Sequence, residues 1–443
     1  MGLVFLIVFT LAEIALVVLT FTKFREKAAW RKNRAVIRAA EAVLMLGIIL
    51  VPAVHMKWRF FGVLFVLAVR LLIAGIVWLV MRRRNNGVRK KPWTIISCIV
   101  SVSLIAASLA PAFIFSNYNG LPATGGYAVR QTDAVLVDES RADGFENDGS
   151  FAEVPAHFFY PDTNEGSFPL IVFSHGAFGY YQSNYSTYAE LAGNGYIVAA
   201  LDHPHHAAFT KNTEGKIITV DQQFINDAME IGGGDDLNAE KTYTVSKEWL
   251  ALRTADEGFV IDSVKAAKQS GTLSGAWHAD DETLLLSVIG MTDTDKIGAM
   301  GHSLGGAAGV ALGRERDDVD TVIDLDGTVL GEITGVKDGK FVCNPAPYPV
   351  PVLVFGHGTS SDDGVTQYMV DQAKDGKLVF CPKANHMDFT DLSMLSPFIS
   401  SMLSGKSGVN SEAFMQEING AVLNWFDYYL KNEGTLSIQA QYE

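Results

Sequence analysis

Lys296-Ile297-Gly298-Ala299-Met300-Gly301-His302-Ser303-Leu304-Gly305-Gly306-Ala307-Ala308-Gly309-Val310 is the stretch on which the reading of this chain turns. Lys296 to Met300 reads as a strand, and Leu304 to Arg314, rich in Ala and Gly, as a helix. The turn between them must be sharp. Its glycines give the backbone room for close packing, and the serine hydroxyl is left exposed at the start of the helix. A bare G-x-S-x-G arises by chance in a glycine-rich chain. Here the strand, the tight turn and the helix together assign Ser303 as a nucleophile.

Outward from this turn the same grammar repeats. Further strands are expected at Ala156 to Tyr160, Leu170 to Ser174, Tyr196 to Leu201, Thr321 to Leu325, Val350 to Phe355 and Lys377 to Cys381. Most are unbroken Val, Ile, Leu, Ala or Phe runs, as a sheet covered on both faces produces. Helical stretches lie between them, at Tyr185 to Asn194, Lys247 to Lys268, Gly364 to Lys374 and Glu412 to Lys431. The alternation predicts an α/β domain, a mainly parallel doubly wound sheet with its site at the carboxyl ends of the strands.

Where such a sheet carries a serine elbow, the chain order is nucleophile, acid, histidine. Only His357 and His386 follow Ser303. His386 comes after the last strand, where this arrangement presents its base. His357 ends the strand before it and is the alternative. The acid is Asp326, next to Asp324 at the end of Thr321 to Leu325, or else Asp362 or Asp363 after the following strand. Alternation puts Asp324 and Asp326 on one face, with Asp326 nearer the exposed end, and Asp388 is too close to His386 to orient it. Ser174-His175-Gly176-Ala177-Phe178 follows another strand, and its turn aims a backbone N–H of Ala177 at a substrate oxygen. Leu304 supplies the second donor of that oxyanion hole.

With these residues in place, the domain resembles the platelet-activating-factor acetylhydrolases and the related bacterial lipase-like α/β hydrolases. The resemblance runs from Leu121 to Lys431. It is carried by Pro122 to Tyr127, Leu170 to Gly176, Gly195 to Ala200, Gly301 to Gly306, Leu325-Asp326 and His386 to Asp391. It implies an α/β-hydrolase fold, hydrolysis of short-chain or oxidised acyl esters without metal or cofactor, and an acid directly after the strand that follows the nucleophile helix, which favours Asp326. Gly327 stands where the family often has a bulky residue. Membrane spans are not part of the secreted enzymes' pattern.

Those spans are read at the other end of the chain. Leu3 to Thr22, Ala35 to His55, Phe60 to Met81 and Trp93 to Phe115 are apolar runs of the length a helix needs to cross a bilayer. Up to Ser116 there are sixteen Lys/Arg against three acids, so this part is +13 and the remainder of a chain of net −14 is −27. The split predicts a transmembrane region of four helices over 1–116 and a catalytic domain over 117–443. An acidic domain repels nucleic acid, so none is expected as a partner; the expected partners are an ester substrate and membrane lipid. Lys23 to Arg34 and Arg82 to Lys91 carry six basic residues each, which predicts cytoplasmic loops and an extracytoplasmic catalytic domain in a multi-pass cell-membrane protein. Glu13, Glu41 and Arg70 lie within spans and are expected to pair between helices.

Other features have plain readings. Asp202-His203-Pro204-His205-His206 has zinc-ligand chemistry, but neighbouring side chains in a loop rarely converge on one ion, so no metal is expected there. Gly232-Gly233-Gly234-Asp235-Asp236 lacks the spacing of a calcium loop. Ala207 to Val245 and Met387 to Phe414 are insertions around the site, the second a lid, an acyl-pocket wall or core. Cys343 and Cys381 can pair in an oxidising compartment, and Asn184-Tyr185-Ser186 is a glycosylation sequon.

Overall fold

The computed structural model describes residues 2–81, 83–84, 87–146, 148–232, 238–358 and 364–443. Asp362 and Asp363, and the glycine-rich stretch from Gly233 to Asp236, lie outside the described residues. Contacts divide the chain into two compact units: Met1–Gly120 with Met394–Met402, and Leu121–Ser393 with Leu403–Glu443.

The first unit is helical. Helices α1 (Gly2–Thr22), α2 (Lys27–Ile49), α3 (Phe61–Met81) and α4 (Lys91–Ser108) are followed by the short α5 (Ala110–Ile114). Phe5, Phe9, Met45, Phe60, Leu67 and Leu109 form its buried interior, while Leu3, Phe65, Leu72, Ile76 and Ile99 face outward. Among the described residues, three helices are long and apolar enough to cross a membrane: Gly2–Thr22, Lys57–Met81 and Lys91–Ser108. The second expected run falls in α2, which starts at Lys27, so much of the expected loop from Lys23 to Arg34 is helix instead. The fourth run is also not one helix; it breaks before Pro111, whose ring removes a helical hydrogen bond. Glu13 on α1, Arg38 and Glu41 on α2 and Arg70 on α3 gather in one buried cluster. Glu13 contacts both arginines, Arg38 lies 2.9 Å from Glu41, and Arg70 lies 3.7 Å from it. Charge buried this way is tolerable only when paired.

The second unit is built on a nine-stranded sheet. Its strands are β1 (Val129–Ala142), β2 (Phe151–Pro161), β3 (Phe168–Ser174), β4 (Ile197–Leu201), β5 (Trp277–Ala279), β6 (Thr292–His302), β7 (Thr321–Leu325), β8 (Val352–His357) and β9 (Gly376–Cys381). Their order is β9-β8-β7-β6-β3-β4-β2-β1-β5. From β9 to β4 neighbours run parallel, and β2, β1 and β5 add antiparallel strands at the other edge. Alternate side chains explain the unbroken apolar runs. Leu170, Val172, Ile297, Ala299, Val322 and Val354 face one core with α8 (Ala239–Ser270) and α9 (Glu282–Gly290). Ile171, Phe173, Met300, Ile323, Leu325 and Phe355 face the other core, with α6 (Tyr185–Gly193) and the C-terminal helix Ser411–Phe426. Each face is closed, which is the condition a parallel sheet requires. This is the α/β-hydrolase fold expected.

The insertion from Ala207 to Val245 is partly ordered by its own hydrogen bonds. It holds a hairpin of Phe209–Lys211 and Ile217–Thr219, helix α7 (Gln222–Gly232), and the first turns of α8. Helix α8 begins at Ala239, earlier than the expected Lys247, because the Asn238 side chain caps it by accepting from the Lys241 amide. No disulfide joins Cys343 and Cys381. Nor is Asn184 a surface acceptor for sugar: it is fully buried and its Nδ2 donates to the Phe389 carbonyl at 2.7 Å.

Candidate active site

Strand β6 ends at His302, and Ser303 turns the chain into α10 (Leu304–Glu315) with φ 56° and ψ −125°. A serine in that conformation is strained and persists only because its surroundings over-determine it. Its amide donates to the Leu325 carbonyl at 3.0 Å. A Cβ on Gly305 would come 2.0 Å from the Ser174 carbonyl oxygen and 2.4 Å from its carbon. Both are backbone atoms of the central strand, so no side-chain adjustment relieves the clash. Gly305→Ala is therefore expected to destabilise the folded unit by about 3 kcal/mol and to lower its melting temperature by roughly 6 °C or more, measurable by scanning calorimetry.

Asp326 leaves the carboxyl end of β7 in the left-handed region, φ 59°, and its side chain is 4% exposed. His386 opens a single 3-10 turn after β9, where Asn385 and Asp388 close a reciprocal capping box. That turn aims the imidazole at both partners. Its Nδ1 lies 2.6 Å from Asp326 Oδ2, and its Nε2 lies 3.0 Å from Ser303 Oγ. Burial by itself would raise the Asp326 pKa, but hydrogen bonds from His357 and His386 outweigh it and hold the group at about 2. The carboxyl is thus an anion across the physiological range, which keeps the His386 proton on Nδ1 and the Nε2 lone pair towards serine. Asp324 does not reach this chain of bonds. It is fully buried, and its Oδ1 accepts from the Gly327 amide at 2.8 Å.

The turn after β3 lies against the serine. A Cβ on Gly176 would sit 3.2 Å from Ser303 Cβ and 2.8 Å from His302 Nδ1. Leu304, as the first residue of α10, directly follows the serine, and its amide is one of those that a helix start leaves without an intrahelical partner. His302 packs beside His386 at 4.6 Å between ring centroids and donates from Nε2 to the His386 carbonyl at 3.1 Å. Burial, then the charge of His386, pushes the His302 pKa down to about 3, so it is a neutral support.

Two features of this site go beyond those expectations. The first is the position of His357, expected as the alternative base, whose Nδ1 lies 2.9 and 2.8 Å from the two Asp326 oxygens and whose amide donates to Oδ1 at 2.6 Å. The second is a buried network behind the Ser174–Phe178 turn. Ser174 Oγ lies 2.8 Å from His203 Nε2, and His203 Nδ1 lies 2.8 Å from Asp256 Oδ2. The connectivity is that of a serine, base and acid, yet Ser174 and His203 are fully buried and Asp256 nearly so. No substrate can reach it. Arg253, mid-way along α8, donates to Ser174 Oγ at 3.1 Å and to the His175 carbonyl, fixing the turn from behind. Burial lowers the Arg253 pKa to about 10, against the pull of Glu257 and Asp256, so the guanidinium stays charged at neutral pH. Ser174 and His203 stood in motifs the sequence marks, but Arg253 and Asp256 lie within a helix where spacing cannot separate buried charges from surface ones.

The histidine cluster after β4 diverges, as expected of a loop. Asp202 accepts from the Tyr181 amide and the Thr210 hydroxyl, both at 2.7 Å. His203 turns inward, His205 lies 3.6 Å from Asp143, and His206 stacks on Phe224 at 4.0 Å.

Comparison with known proteins agrees with this architecture. A ferulic acid esterase from Streptomyces cinnamoneus superposes with a TM-score of 0.51 at 20% identity, over 71% of this chain and 93% of that one, a likeness of fold. The platelet-activating factor acetylhydrolase of Cavia porcellus is 25% identical over 300 residues, 63% of this chain; the chain spans 61% of that relative's length. Residues 152–437, which hold Ser303, Asp326 and His386, match the family described as platelet-activating factor acetylhydrolase, isoform II. The chain belongs to that family.

Proposed function

We propose that this chain is a membrane-anchored serine hydrolase that cleaves carboxylic esters through Ser303, His386 and Asp326. The observation that carries the reading is the unbroken run of bonds from Ser303 Oγ through His386 to Asp326 Oδ2, at 3.0 and 2.6 Å. Ser303 Oγ attacks the ester carbonyl as its proton passes to His386 Nε2. Asp326 stabilises the imidazolium that forms. The amides of Ala177 and Leu304 hold the tetrahedral oxyanion. His386 then protonates the leaving alcohol, and a water, deprotonated by the same nitrogen, releases the acyl group. No cofactor is required by this chemistry.

The substrate class follows from kinship. A relative named for acetylhydrolysis of platelet-activating factor points to short acyl esters of phospholipid-like alcohols. The test is the full chain in detergent micelles, assayed on p-nitrophenyl esters from acetate to palmitate and on a phospholipid with a 2-acetyl group. The expected result is turnover on acetate and the acetyl phospholipid that falls steeply with chain length. A folded protein that turns over none of them would overturn the reading in favour of peptide or thioester substrates.

A further inference from the structure

In a serine, histidine and aspartate arrangement the acid needs one imidazole, and here it has two. Asp326 Oδ2 accepts from His386 Nδ1 at 2.6 Å and stands 2.8 Å from His357 Nδ1. The three ligand atoms lie within 4.8 Å of one another, and among the described residues this is the group of His, Cys, Asp or Glu that can hold a metal ion. Two imidazole nitrogens and a carboxylate oxygen are the donor set of open zinc sites, which leave the fourth position to water. Donors of a tetrahedral zinc lie roughly 3.4 Å apart, given bonds of about 2.0–2.1 Å. The separations of 2.6 and 2.8 Å therefore need to open by about 0.6–0.8 Å. His357 is able to supply that movement, because it ends β8 with 53% of its side chain exposed, while Asp326 is buried behind it. The exposure also gives an ion a path to the carboxylate, and the acidic balance of this part of the chain draws cations towards it.

We propose that Asp326, His357 and His386 form an inhibitory site for a zinc-class divalent cation. The inhibition rests on the serine-hydrolase reading; the binding does not. A metal on His386 Nδ1 displaces that proton to solvent, and the neutral ring then carries its proton on Nε2, taken back from solvent. Nε2 no longer offers a lone pair, so Ser303 cannot pass its proton on. Nothing is oxidised or reduced, and removing the ion restores the original tautomer. Imidazole favours zinc or copper over calcium or magnesium, which sets the selectivity.

The test has two arms, both on the full chain. In the first, ZnCl2 is titrated into Ser303→Ala protein by calorimetry, with and without His357→Gln. One zinc per chain is expected, weakened tenfold or more by the second substitution. Equal zinc binding with and without His357 overturns the proposal. In the second arm, turnover of p-nitrophenyl acetate is followed against zinc. Inhibition reversed by EDTA is expected, with the half-inhibiting concentration raised at least tenfold in His357→Gln; inhibition at an unchanged concentration overturns the proposal. His357→Cys, which keeps a zinc ligand two bonds from the backbone, is expected to retain the response. A chain that hydrolyses no ester but binds zinc through His357 would sink the function and leave the metal site standing.

Discussion

Ser303→Ala is expected to lower kcat on any ester the chain cleaves by about 10⁵- to 10⁶-fold. KM should barely change, because the substitution removes one oxygen from the floor of the site and leaves the oxyanion turn in place. The effect is this large because His386 Nε2 lies 3.0 Å from Ser303 Oγ, while Ser174, which bonds His203, is fully buried. What survives reflects the Ala177 and Leu304 amides alone, which act on water-driven hydrolysis. The variant should fold normally, since alanine tolerates the same packing against Gly176. A kcat within tenfold of wild type would mean that Ser303 is a turn residue and no more.

Asp326→Asn is the second large effect, a loss in kcat of about 10⁴-fold. Asparagine keeps the shape but can turn an N–H₂ towards His386 Nδ1, which then has to accept and holds its proton on Nε2, the wrong side for a base. His357 makes the outcome sharper. The wild-type carboxylate offers both oxygens to two imidazoles, and the single amide oxygen of asparagine cannot serve both. Because Asp326 is held at about 2 in the folded protein, the acid limb of the wild-type pH profile contains no contribution from it above roughly pH 4. A loss below tenfold would transfer the acid's role to Asp362 or Asp363.

The residues proposed as nucleophile, base and acid stand out in the sequence for a common reason: each stands directly after a strand, so chain order and strand position single it out without knowledge of distance. Ser303 follows β6, Asp326 follows β7 and His386 follows β9. The core strands were legible because their two closed faces write apolar runs. Other elements left weaker marks. Strand β1 buries Thr132, Ala134, Leu136 and Asp138 and leaves the residues between them half-buried, an alternation in which a charge falls on each face. The start of α8 depended on one capping asparagine. Charge counts placed a loop over Lys23 to Arg34, yet α2 takes over from Lys27, because a helix carries basic side chains readily when they point away from lipid or pair, as Arg38 does with Glu13 and Glu41.

By itself, then, the sequence determined the fold class, the polarity split between the helical part and the acidic part, and the order in which the proposed nucleophile, acid and base occur. These are properties of local pattern, written in periods of two and 3.6 residues and in obligatory glycines. Only the tertiary structure decided which carboxylate faces His386, that Asp324 instead caps a turn, that His357 shares Asp326, and that Ser174, His203 and Asp256 are sealed. Apart from the local Asp324 turn, those outcomes depend on groups far apart in the chain meeting within hydrogen-bond reach. That is set by how strands β3, β6, β7 and β8 stack side by side, and neither spacing nor composition encodes a distance across a sheet.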